Sequence, residues 1–454
     1  MSKEFDKAIE LVKKYNQEHL LQFYHCLNED EKSELTSEIL KIDFQLIKNT
    51  YNKMICNHTE EKENRFRPLI AKNLKICSDE ERISFYKTGM NALANGKVAV
   101  YLVAGGQGTR LGHIGPKGTY DIGLPSGKSL FQLQCERLIY LSKECKRYIP
   151  LYIMTSFENH QDTVSFFKEH NYFGYPKNMI MFFQQRTMPA VNEDGKILLS
   201  DKSKIAMSPN GNGGCFIALK ESGALDDMKS KGIEWLFLYG IDNALVRVAD
   251  PFFIGFTICS KQLAASKVVE KKYPEEKVGV LCYKNDKPAI VEYSEMPNTT
   301  ESEVNSDGKL VYSNANILNH ILRIDFIEAI AEKSLPLHIA HKKIEYLDEH
   351  GKKIVPIKPN GYKFEYFLFD IFEMLNDMAV LEVERKEEFA PVKNSEGEDS
   401  PKTARELILN LHKKWLINEG FDSTILEEKQ IEVSPLISYY GDNLGGKNIN
   451  EILK

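Results

Sequence analysis

The sequence predicts an α/β protein whose central, mostly parallel sheet is flanked by helices. Beyond about residue 97 the chain alternates short apolar runs with Gly-rich turns, as expected of buried strands. Helical stretches such as 128–148 lie between these runs, and strands that alternate with helices form parallel sheets covered on both faces. The predicted strands are KVAVYLV (97–103), PLYIMT (150–155), MIMFFQ (179–184) and WLFLYG (235–240).

The pattern of apolar residues divides the chain into three consecutive predicted domains. Residues 1–93 have apolar side chains at three- and four-residue spacing, which predicts a mainly helical N-terminal domain. Residues 94–345 form the predicted central domain, in which the polar stretch 298–308 is expected to be a solvated loop. Residues 346–454 form a small α+β C-terminal domain with an amphipathic helix near 403–416.

Composition indicates a packed soluble protein. Of the 454 residues, 42% are hydrophobic and 27% are charged, which is typical of globular domains and not of disordered chains. The net charge of -6 provides no basic field that would attract nucleic acid. The N-terminus lacks the apolar stretch of a signal peptide, and no run is long enough to span a membrane. We therefore expect a cytoplasmic protein without nucleic-acid or membrane partners.

The eight cysteines, at 26, 56, 77, 135, 145, 215, 259 and 282, form no CxxC pair and lie mostly in apolar stretches. This pattern is typical of reduced core residues. No histidine lies at ligand spacing from a cysteine pair, so we predict no zinc site.

The segment 99–134 contains a predicted strand, a glycine-rich turn and then a helix. Gly105, Gly106 and Gly108 remove side chains where backbone amides can approach an oxyanion, and we expect them to adopt the positive φ angles of an anion-binding nest. Arg110 and Lys117 add positive charge to the same turn. The segment thus predicts a phosphate-binding loop.

Two common phosphate motifs do not fit this segment. A dinucleotide fingerprint that starts at Gly106 requires glycine at 111, which is Leu111. A Walker A loop that ends in Gly127, Lys128 and Ser129 requires glycine at 122, which is Ile122. Hydride transfer and P-loop ATPase chemistry are therefore disfavoured.

The loop LVAGGQGTRL (102–111), followed by Pro116 and Lys117, resembles the signature of nucleotide-sugar pyrophosphorylases. From about residue 95 to 375 the chain is similar in detail to the eukaryotic UDP-N-acetylglucosamine pyrophosphorylase family. The matching blocks are FFQQRTMPA (182–190), SPNGNGG (208–214), LYGIDNALVRVADPFFIGF (238–256), KVVEKKYPEEKVGVLC (267–282), VEYSE (291–295), NANILNH (314–320) and PNGYKFEYFLFD (359–370). The resemblance implies a Rossmann-like, GT-A-like nucleotidyltransferase fold with a mixed sheet.

The resemblance also implies two sets of nucleotide-binding residues. The phosphate loop provides Gly105, Gly106, Gly108 and Thr109, and the base is expected to contact Gln185, Gly211 and Asn212. In SPNGNGG, small residues would allow a uracil ring to lie against the backbone. A simple hairpin turn is the alternative for this block, because Asn-Gly is a strong turn signal.

Asp242 follows an apolar strand, where the ligands of open α/β sheets collect. A carboxylate there suits Mg²⁺, or Mn²⁺, bound together with phosphate oxygens, and the alternative is an N-cap for the next segment. The resemblance assigns the sugar site to Gly279, Glu292, Tyr293 and Asn316. For Glu292 the alternative is the solvated face of a strand. Ala315, where the family usually has glycine, is expected to narrow the sugar site by one methyl group.

We predict catalytic roles for Arg110, Lys117 and Lys363 in the reaction of UTP with N-acetylglucosamine 1-phosphate. The phosphate oxygen of the sugar 1-phosphate would attack the α-phosphorus of UTP in line and expel diphosphate. A UDP-glucose or broad-specificity UDP-sugar pyrophosphorylase is one alternative, and a non-catalytic sugar-nucleotide binding protein is another. We expect a monomer or a weak homodimer.

Overall fold

The computed structural model describes residues 3–56, 64–333, 335–427 and 429–452. These residues form two compact units, each assembled from separate stretches of the chain. The smaller unit contains Met1–Glu63, Gln185–Cys215 and Leu335–Leu368, and the larger unit contains Asn64–Gln184, Phe216–Ser334 and Phe369–Lys454. The division into three consecutive domains stays a prediction.

The α-helices are numbered in chain order. They are α1 (Lys3–Lys14), α2 (Glu29–Lys41), α3 (Phe44–Cys56), α4 (Asp79–Ala94), α5 (Leu130–Glu144), α6 (His160–Glu169), α7 (Cys215–Glu221), α8 (Ala224–Ser230), α9 (Pro251–Ser260), α10 (Asn298–Glu301), α11 (Ile324–Ala331), α12 (Arg385–Glu388), α13 (Pro401–Asn418), α14 (Ser423–Glu427) and α15 (Ile449–Ile452).

The strands are numbered in the same way. They are β1 (Phe66–Pro68), β2 (Lys72–Asn73), β3 (Val98–Val103), β4 (Leu151–Thr155), β5 (Ile180–Gln184), β6 (Thr187–Pro189), β7 (Val191–Asn192), β8 (Leu199–Asp201), β9 (Lys204–Ile205), β10 (Met207–Pro209), β11 (Trp235–Gly240), β12 (Ala264–Glu270), β13 (Val280–Lys284), β14 (Lys287–Val291), β15 (Asn314–Arg323), β16 (Leu337–Lys342), β17 (Tyr346–Leu347), β18 (Lys353–Ile354), β19 (Gly361–Tyr366) and β20 (Ala379–Glu382).

The larger unit is built on one mixed sheet with the strand order β2-β20-β12-β15-β11-β3-β4-β5. The predicted apolar runs form β3, β4, β5 and β11, and β11, β3, β4 and β5 pair in parallel. β15 runs antiparallel to both β11 and β12, and it also pairs with β13. The α/β class is therefore confirmed, and the sheet is mixed, as the family resemblance implied.

The hydrophobic core lies between this sheet and its helices. α5 buries most of its length against it, because Leu130, Leu133 and Leu138 join the same apolar cluster as Val100 and Phe237 of the strands. The side chain of Ser129 caps α5 by accepting a hydrogen bond from the backbone N–H of Gln132 at 3.2 Å. The predicted 128–148 helix is thus confirmed with a defined start.

α4 and α9 pack with their backbones in direct contact. A Cβ atom on Gly89 would lie 1.8 Å from the carbonyl oxygen of Pro251, and one on Gly255 would lie 1.7 Å from the carbonyl oxygen of Phe85. Only glycine allows this approach.

The smaller unit combines the N-terminal helices with short hairpins and the three-stranded sheet β16-β19-β7. The ring Nε2 of His19 lies 2.7 Å from the carbonyl oxygen of Ile197, and Gln17 Oε1 accepts from the Ile197 N–H at 2.9 Å. The helical character predicted before residue 90 is confirmed for α1 to α4. β1 and β2 were not predicted, and the stretch 298–308, predicted as a loop, begins with α10.

Five of the cysteines are buried as predicted: Cys77, Cys135, Cys145, Cys215 and Cys282. The prediction was wrong for Cys26 and Cys259, which are exposed thiols. The side chain of Cys56 lies outside the described part of the structure. Among the described helices, none combines the length and apolarity that a membrane span requires.

Two buried histidines predict how stability depends on pH. Burial lowers the pKa of His320 to about 3, and burial together with Arg137 lowers that of His412 to about 3. A histidine in the unfolded chain has a pKa of about 6.5. Below that pH the unfolded chain therefore binds protons that the native chain does not. The free energy of unfolding should therefore fall as the pH drops below about 6.5, by about 1.4 kcal/mol per histidine at a pH of about 5.5.

His412→Asn tests this expectation. The Nδ1 of His412 accepts a hydrogen bond from the Val433 N–H at 3.1 Å, and an asparagine oxygen can take over that role. Urea unfolding of both proteins near pH 7.5 and 5.5 should show a smaller stability loss for the variant. Equal losses would contradict the prediction.

Candidate active site

The glycine-rich loop follows β3 and folds back on itself. The N–H of Gly108 donates to the carbonyl oxygen of Gly115 at 2.9 Å, and the N–H of Lys117 donates to that of Gly106 at 3.1 Å. These bonds bring Lys117 back beside the start of the loop. The loop is therefore a compact turn at the C-terminal end of β3, the end at which parallel sheets bind ligands.

The predicted backbone conformation of the three glycines was wrong. Gly105 and Gly106 have no positive φ, and Gly108 has φ -80°. Positive φ angles occur later, at Gly112 (68°) and Gly115 (121°), where the chain turns back. Gly108 instead allows close packing, since a Cβ atom there would lie 2.8 Å from His113 Cβ, and the later glycines allow the turn.

Asn159, which sequence reasoning missed, holds the start of this loop. Its fully buried Nδ2 donates to the carbonyl oxygens of Ala104 at 3.0 Å and Gly106 at 3.3 Å. Its Oδ1 accepts from the Ser156 N–H at 2.9 Å, just beyond β4. These bonds tie the start of the loop to the chain that follows β4.

Donors remain available on the exposed side of the loop. In the part of the chain that the structure describes, the N–H groups of Gly105 and Gly106 donate to no other protein group. A Cβ atom on Gly106 would meet nothing within 4 Å, so this backbone is open to a ligand. Thr109 and Arg110 are exposed on the adjoining short helix Thr109–Leu111. Free amides beside cations are typical of phosphate sites.

Lys117 lies among charged groups. Burial lowers the pKa of its ammonium group, Asp242 opposes this, and the cations Arg110 and Lys393 lower the pKa further. Asp242, Arg110 and Lys393 therefore each lie within electrostatic range of Lys117. An ammonium group that is half-buried among other cations favours an anionic ligand.

Asp242 reaches this cluster because of the sheet register. Gly240 at the end of β11 pairs in parallel with Val103 at the end of β3, so both following loops start at the same edge. The carbonyl oxygen of Asp242 accepts from the Val392 N–H at 2.8 Å. Among the described residues, the neighbouring Asn243 side chain, not Asp242, accepts from the Leu245 N–H. The N-cap alternative for Asp242 is therefore not supported.

Lys393 was missed by sequence reasoning. It follows the buried run Phe389–Val392, which pairs with the chain at Asn243 through an isolated bridge at Pro391. Its ammonium group lies 3.8 Å from Asp399 Oδ2, and its charge also acts on Glu292. A lysine directly after an apolar run is the signal that could have identified it.

Three of the predicted sugar-site residues are brought together. The Asn316 N–H donates to the carbonyl oxygen of Gly279 at 2.9 Å, and a Cβ atom on Gly279 would lie 3.3 Å from Glu292 Oε1. Glu292 is half-buried just after β14, so it does not lie on a solvated strand face. Burial raises the pKa of its carboxyl group, Glu295 adds to the rise, and Lys393 opposes it. Tyr293 is exposed beside it.

The expected effect of Ala315 was wrong. Ala315 is fully buried, and its methyl group belongs to the hydrophobic core together with Val269, its partner on β12. Side chains alternate along a strand, so Ala315 and Asn316 face opposite ways. The extra methyl group therefore does not narrow the site beside Asn316.

The predicted base-binding residues belong to the smaller unit. Gly211 has φ 83°, and a Cβ atom there would lie 2.4 Å from the carbonyl oxygen of Tyr366. Asn212 begins a short 3-10 helix, so the block forms no hairpin, and its Oδ1 accepts from the Leu368 N–H at 2.9 Å. Close packing against 365–368 explains why small residues are needed here, and the assigned contact with uracil stays a prediction.

Lys363 and Gln185 also belong to the smaller unit. Lys363 is half-buried in the middle of β19, and among the described residues its ammonium group has no ion-pair partner. Gln185 follows Gln184, the last residue of β5, and is half-buried. Their roles stay predictions.

The rejected Walker-like residues have structural roles. Lys128 Nζ donates to Glu136 Oε2 at 2.6 Å and to Ser434 Oγ at 3.2 Å, and Ser129 caps α5.

Residues 44–449 match the family described as UTP--glucose-1-phosphate uridylyltransferase. This match spans most of the chain. The chain belongs to this uridylyltransferase family. The predicted uridylyltransferase class is thereby confirmed.

Individual relatives of this uridylyltransferase support the assignment over nearly its full length. It is 39% identical to the human UDP-N-acetylhexosamine pyrophosphorylase-like protein 1, over 95% of this chain and 92% of that protein. It is also 39% identical to the UDP-N-acetylglucosamine pyrophosphorylase of Saccharomyces cerevisiae, over 94% of each chain. The crystal structure of the Trypanosoma brucei UDP-N-acetylglucosamine pyrophosphorylase superposes with a TM-score of 0.82 and 29% identity, covering 98% of this chain and 94% of that one. The predicted family is therefore confirmed.

Proposed function

We propose that this uridylyltransferase joins UTP to N-acetylglucosamine 1-phosphate and releases diphosphate. The observation that carries the proposal is the cluster of Arg110, Lys117, Lys393 and Asp242 beside the open amides of the phosphate loop. Such a cluster suits a polyphosphate that must be held while charge moves to a leaving group. The names of the relatives favour the N-acetylated sugar.

The reaction needs no general base, because the second pKa of a phosphate monoester is about 6 and the sugar 1-phosphate is mostly dianionic near neutral pH. Its oxygen attacks the α-phosphorus of UTP as the bond to diphosphate breaks. Arg110 and Lys117 stabilise the charge that develops on the leaving diphosphate, and Lys393 contributes to the same field. Lys363 is assigned to the α-phosphate by the resemblance alone.

The residues present fit a divalent cation. Asp242 offers one half-buried carboxylate at the edge that carries the phosphate loop. Mg²⁺ is commonly held by one or two carboxylates plus substrate phosphates, and the described residues contain no cluster of three or more protein ligands. Asp242 would hold Mg²⁺, or Mn²⁺, which would neutralise phosphate charge.

Glu292, Asn316 and the backbone of Gly279 form the proposed sugar site. A carboxylate can accept hydrogen bonds from two sugar hydroxyl groups, which distinguishes epimers. A side chain at 279 would displace Ile290 or Glu292, since its Cβ atom would lie 2.8 Å from Ile290 Cγ2. Glycine at this position therefore keeps the carboxylate in place.

A panel of sugar 1-phosphates tests the proposal. The purified chain is incubated with UTP, Mg²⁺ and the 1-phosphates of N-acetylglucosamine, N-acetylgalactosamine, glucose or galactose, and diphosphate release is measured. We expect the highest kcat/KM with N-acetylglucosamine 1-phosphate. A higher kcat/KM with glucose 1-phosphate would identify a UDP-glucose pyrophosphorylase. Similar kcat/KM values for all four sugars would identify a broad-specificity enzyme. UTP binding without diphosphate release would identify a non-catalytic binding protein.

We further propose that the protein acts in the cytoplasm as a monomer or weak homodimer. The absence of nucleic-acid and membrane partners also stays a prediction.

A further inference from the structure

A buried lysine of the larger unit is paired with two carboxylates. The side chain of Lys267, on β12, is fully buried, and its Nζ lies 2.5 Å from both Asp250 Oδ2 and Glu388 Oε2. The two carboxylates are themselves almost inaccessible. A buried ammonium group is strongly unfavourable unless it is paired in this way.

The two carboxylates belong to the chain segments that carry the proposed catalytic groups. Asp250 lies downstream of Asp242 and caps α9 by accepting from the Phe252 N–H at 3.0 Å. Glu388 ends α12, directly before the segment that leads to Lys393. Lys267 therefore joins two segments that are distant in sequence.

Asn243 continues the connection from Glu388 to Asp242. Its Nδ2 donates to the carbonyl oxygen of Glu388 at 2.7 Å, and its Oδ1 accepts from the Ala390 N–H at 3.0 Å. The Val392 N–H then donates to the carbonyl oxygen of Asp242 at 2.8 Å. The segments 242–244 and 388–392 are thus held side by side, immediately before Lys393.

Two arginines also contact the segments that follow Asp242 and precede Lys393. Arg247 lies 3.6 Å from Glu388 Oε1 and 3.2 Å from Glu387 Oε2. Arg137 donates to the carbonyl oxygens of Ala244 at 2.8 Å and Val246 at 3.1 Å. The chain that follows Asp242 is therefore fixed by hydrogen bonds from its buried side.

Stability alone gives little reason for this arrangement. Hydrophobic residues of similar volume often replace buried ion pairs without loss of stability, and sometimes with a gain. An ion pair with two hydrogen-bonded partners does fix geometry, and the segments held together here are the one that follows Asp242 and the one that precedes Lys393.

We propose that Lys267 is a positioning residue that sets the distance between Asp242 and Lys393 through Asp250, Glu388 and Asn243. The inference rests on the proposed function, because it requires that Asp242 and Lys393 act on the same phosphates. Misplacement of a reacting group by about 1 Å can lower a rate about a hundredfold.

Lys267→Met in the full chain tests this inference. We expect kcat to fall about a hundredfold while the KM for UTP changes much less, because the variant leaves the nucleotide-binding residues intact. Binding of inorganic pyrophosphate in the presence of Mg²⁺, measured by calorimetry, should weaken about tenfold, since the cations no longer converge. Unfolding midpoints establish that each variant is folded at the assay temperature.

Lys271→Met is the matched control. Lys271 is also a buried lysine of the larger unit, directly after β12, and its Nζ donates to Glu301 Oε1 at 2.6 Å. Among the described residues, neither Lys271 nor Glu301 bonds to the segments that carry Asp242 and Lys393. We expect this variant to lose stability and to keep wild-type turnover and pyrophosphate affinity. Equal behaviour of the two variants in both assays would overturn the inference.

If Lys267→Met does not fold, Asn243→Ala tests the inference instead. This variant removes the hydrogen bonds between Asn243 and the segment 388–390 without leaving an unpaired buried charge. Lower turnover and weaker pyrophosphate binding support the inference, and wild-type values overturn it. A wild-type protein that releases diphosphate with no sugar 1-phosphate would refute the proposed function instead. In that case the pyrophosphate affinity of Lys267→Met, compared with that of the wild type, would still test whether Lys267 positions Lys393.

Discussion

Replacement of Lys117 by alanine is expected to lower turnover with UTP and sugar 1-phosphate by about a hundredfold or more. Lys117 lies within electrostatic range of Asp242, Arg110 and Lys393, and its backbone N–H donates to the carbonyl oxygen of Gly106 in the loop. Loss of one such electrostatic group typically costs two to three orders of magnitude in kcat, that is about 2.7–4 kcal/mol. Diphosphate release under saturating substrates measures the effect.

The stability of Lys117→Ala should be unchanged or higher, because burial and neighbouring cations disfavour the charged form of Lys117 in the folded protein. Lys97→Ala is the control, since Lys97 forms a largely exposed ion pair with Glu234 outside the site. Near-wild-type turnover of Lys117→Ala would remove this residue from its proposed role.

Gly255→Ala is expected to cause the largest loss of stability. The new Cβ atom would lie 1.7 Å from the carbonyl oxygen of Phe85, and a helix backbone cannot move aside as a flexible side chain can. Overpacking of this kind costs about 3 kcal/mol or more, so α4 and α9 must separate. Urea unfolding followed by circular dichroism measures the change.

Gly106→Ala serves as the stability control for this substitution. A Cβ atom on Gly106 would meet nothing within 4 Å, and Gly106 has no positive φ, so its unfolding midpoint should stay close to that of the wild type. A Gly255→Ala variant as stable as Gly106→Ala would show that the two helices tolerate a wider separation.

Local patterns in the sequence predicted much of the fold and part of the site. Apolar runs predicted β3, β4, β5 and β11, because buried strands must be apolar whatever surrounds them. The loop from Gly105 to Lys117 was predicted as a phosphate site because close backbone approach requires glycine, and phosphate requires cations. Which glycines adopt positive φ was not predictable, because that depends on how the chain returns to Gly106.

Lys393 and Asn159 show why the rest of the site was missed. Each acts on the phosphate loop or its neighbours from a distant part of the sequence, Asn159 through its bonds to Ala104 and Gly106. Lys393 reaches Lys117 and Glu292 only because the chain before it pairs beside Asn243. A single sequence does not show which distant segments of the chain pair with each other.

By itself the sequence determined the α/β class and the family and predicted a phosphate-binding role for the loop, because these depend on residue types at short spacing. The tertiary structure alone decided which charges meet: the register of β3 and β11 brings Lys117 to Asp242, and the buried pairs of Lys267 hold the segment that carries Lys393. The physical reason is that electrostatic interactions act through space, and only folding fixes the distances across which they act.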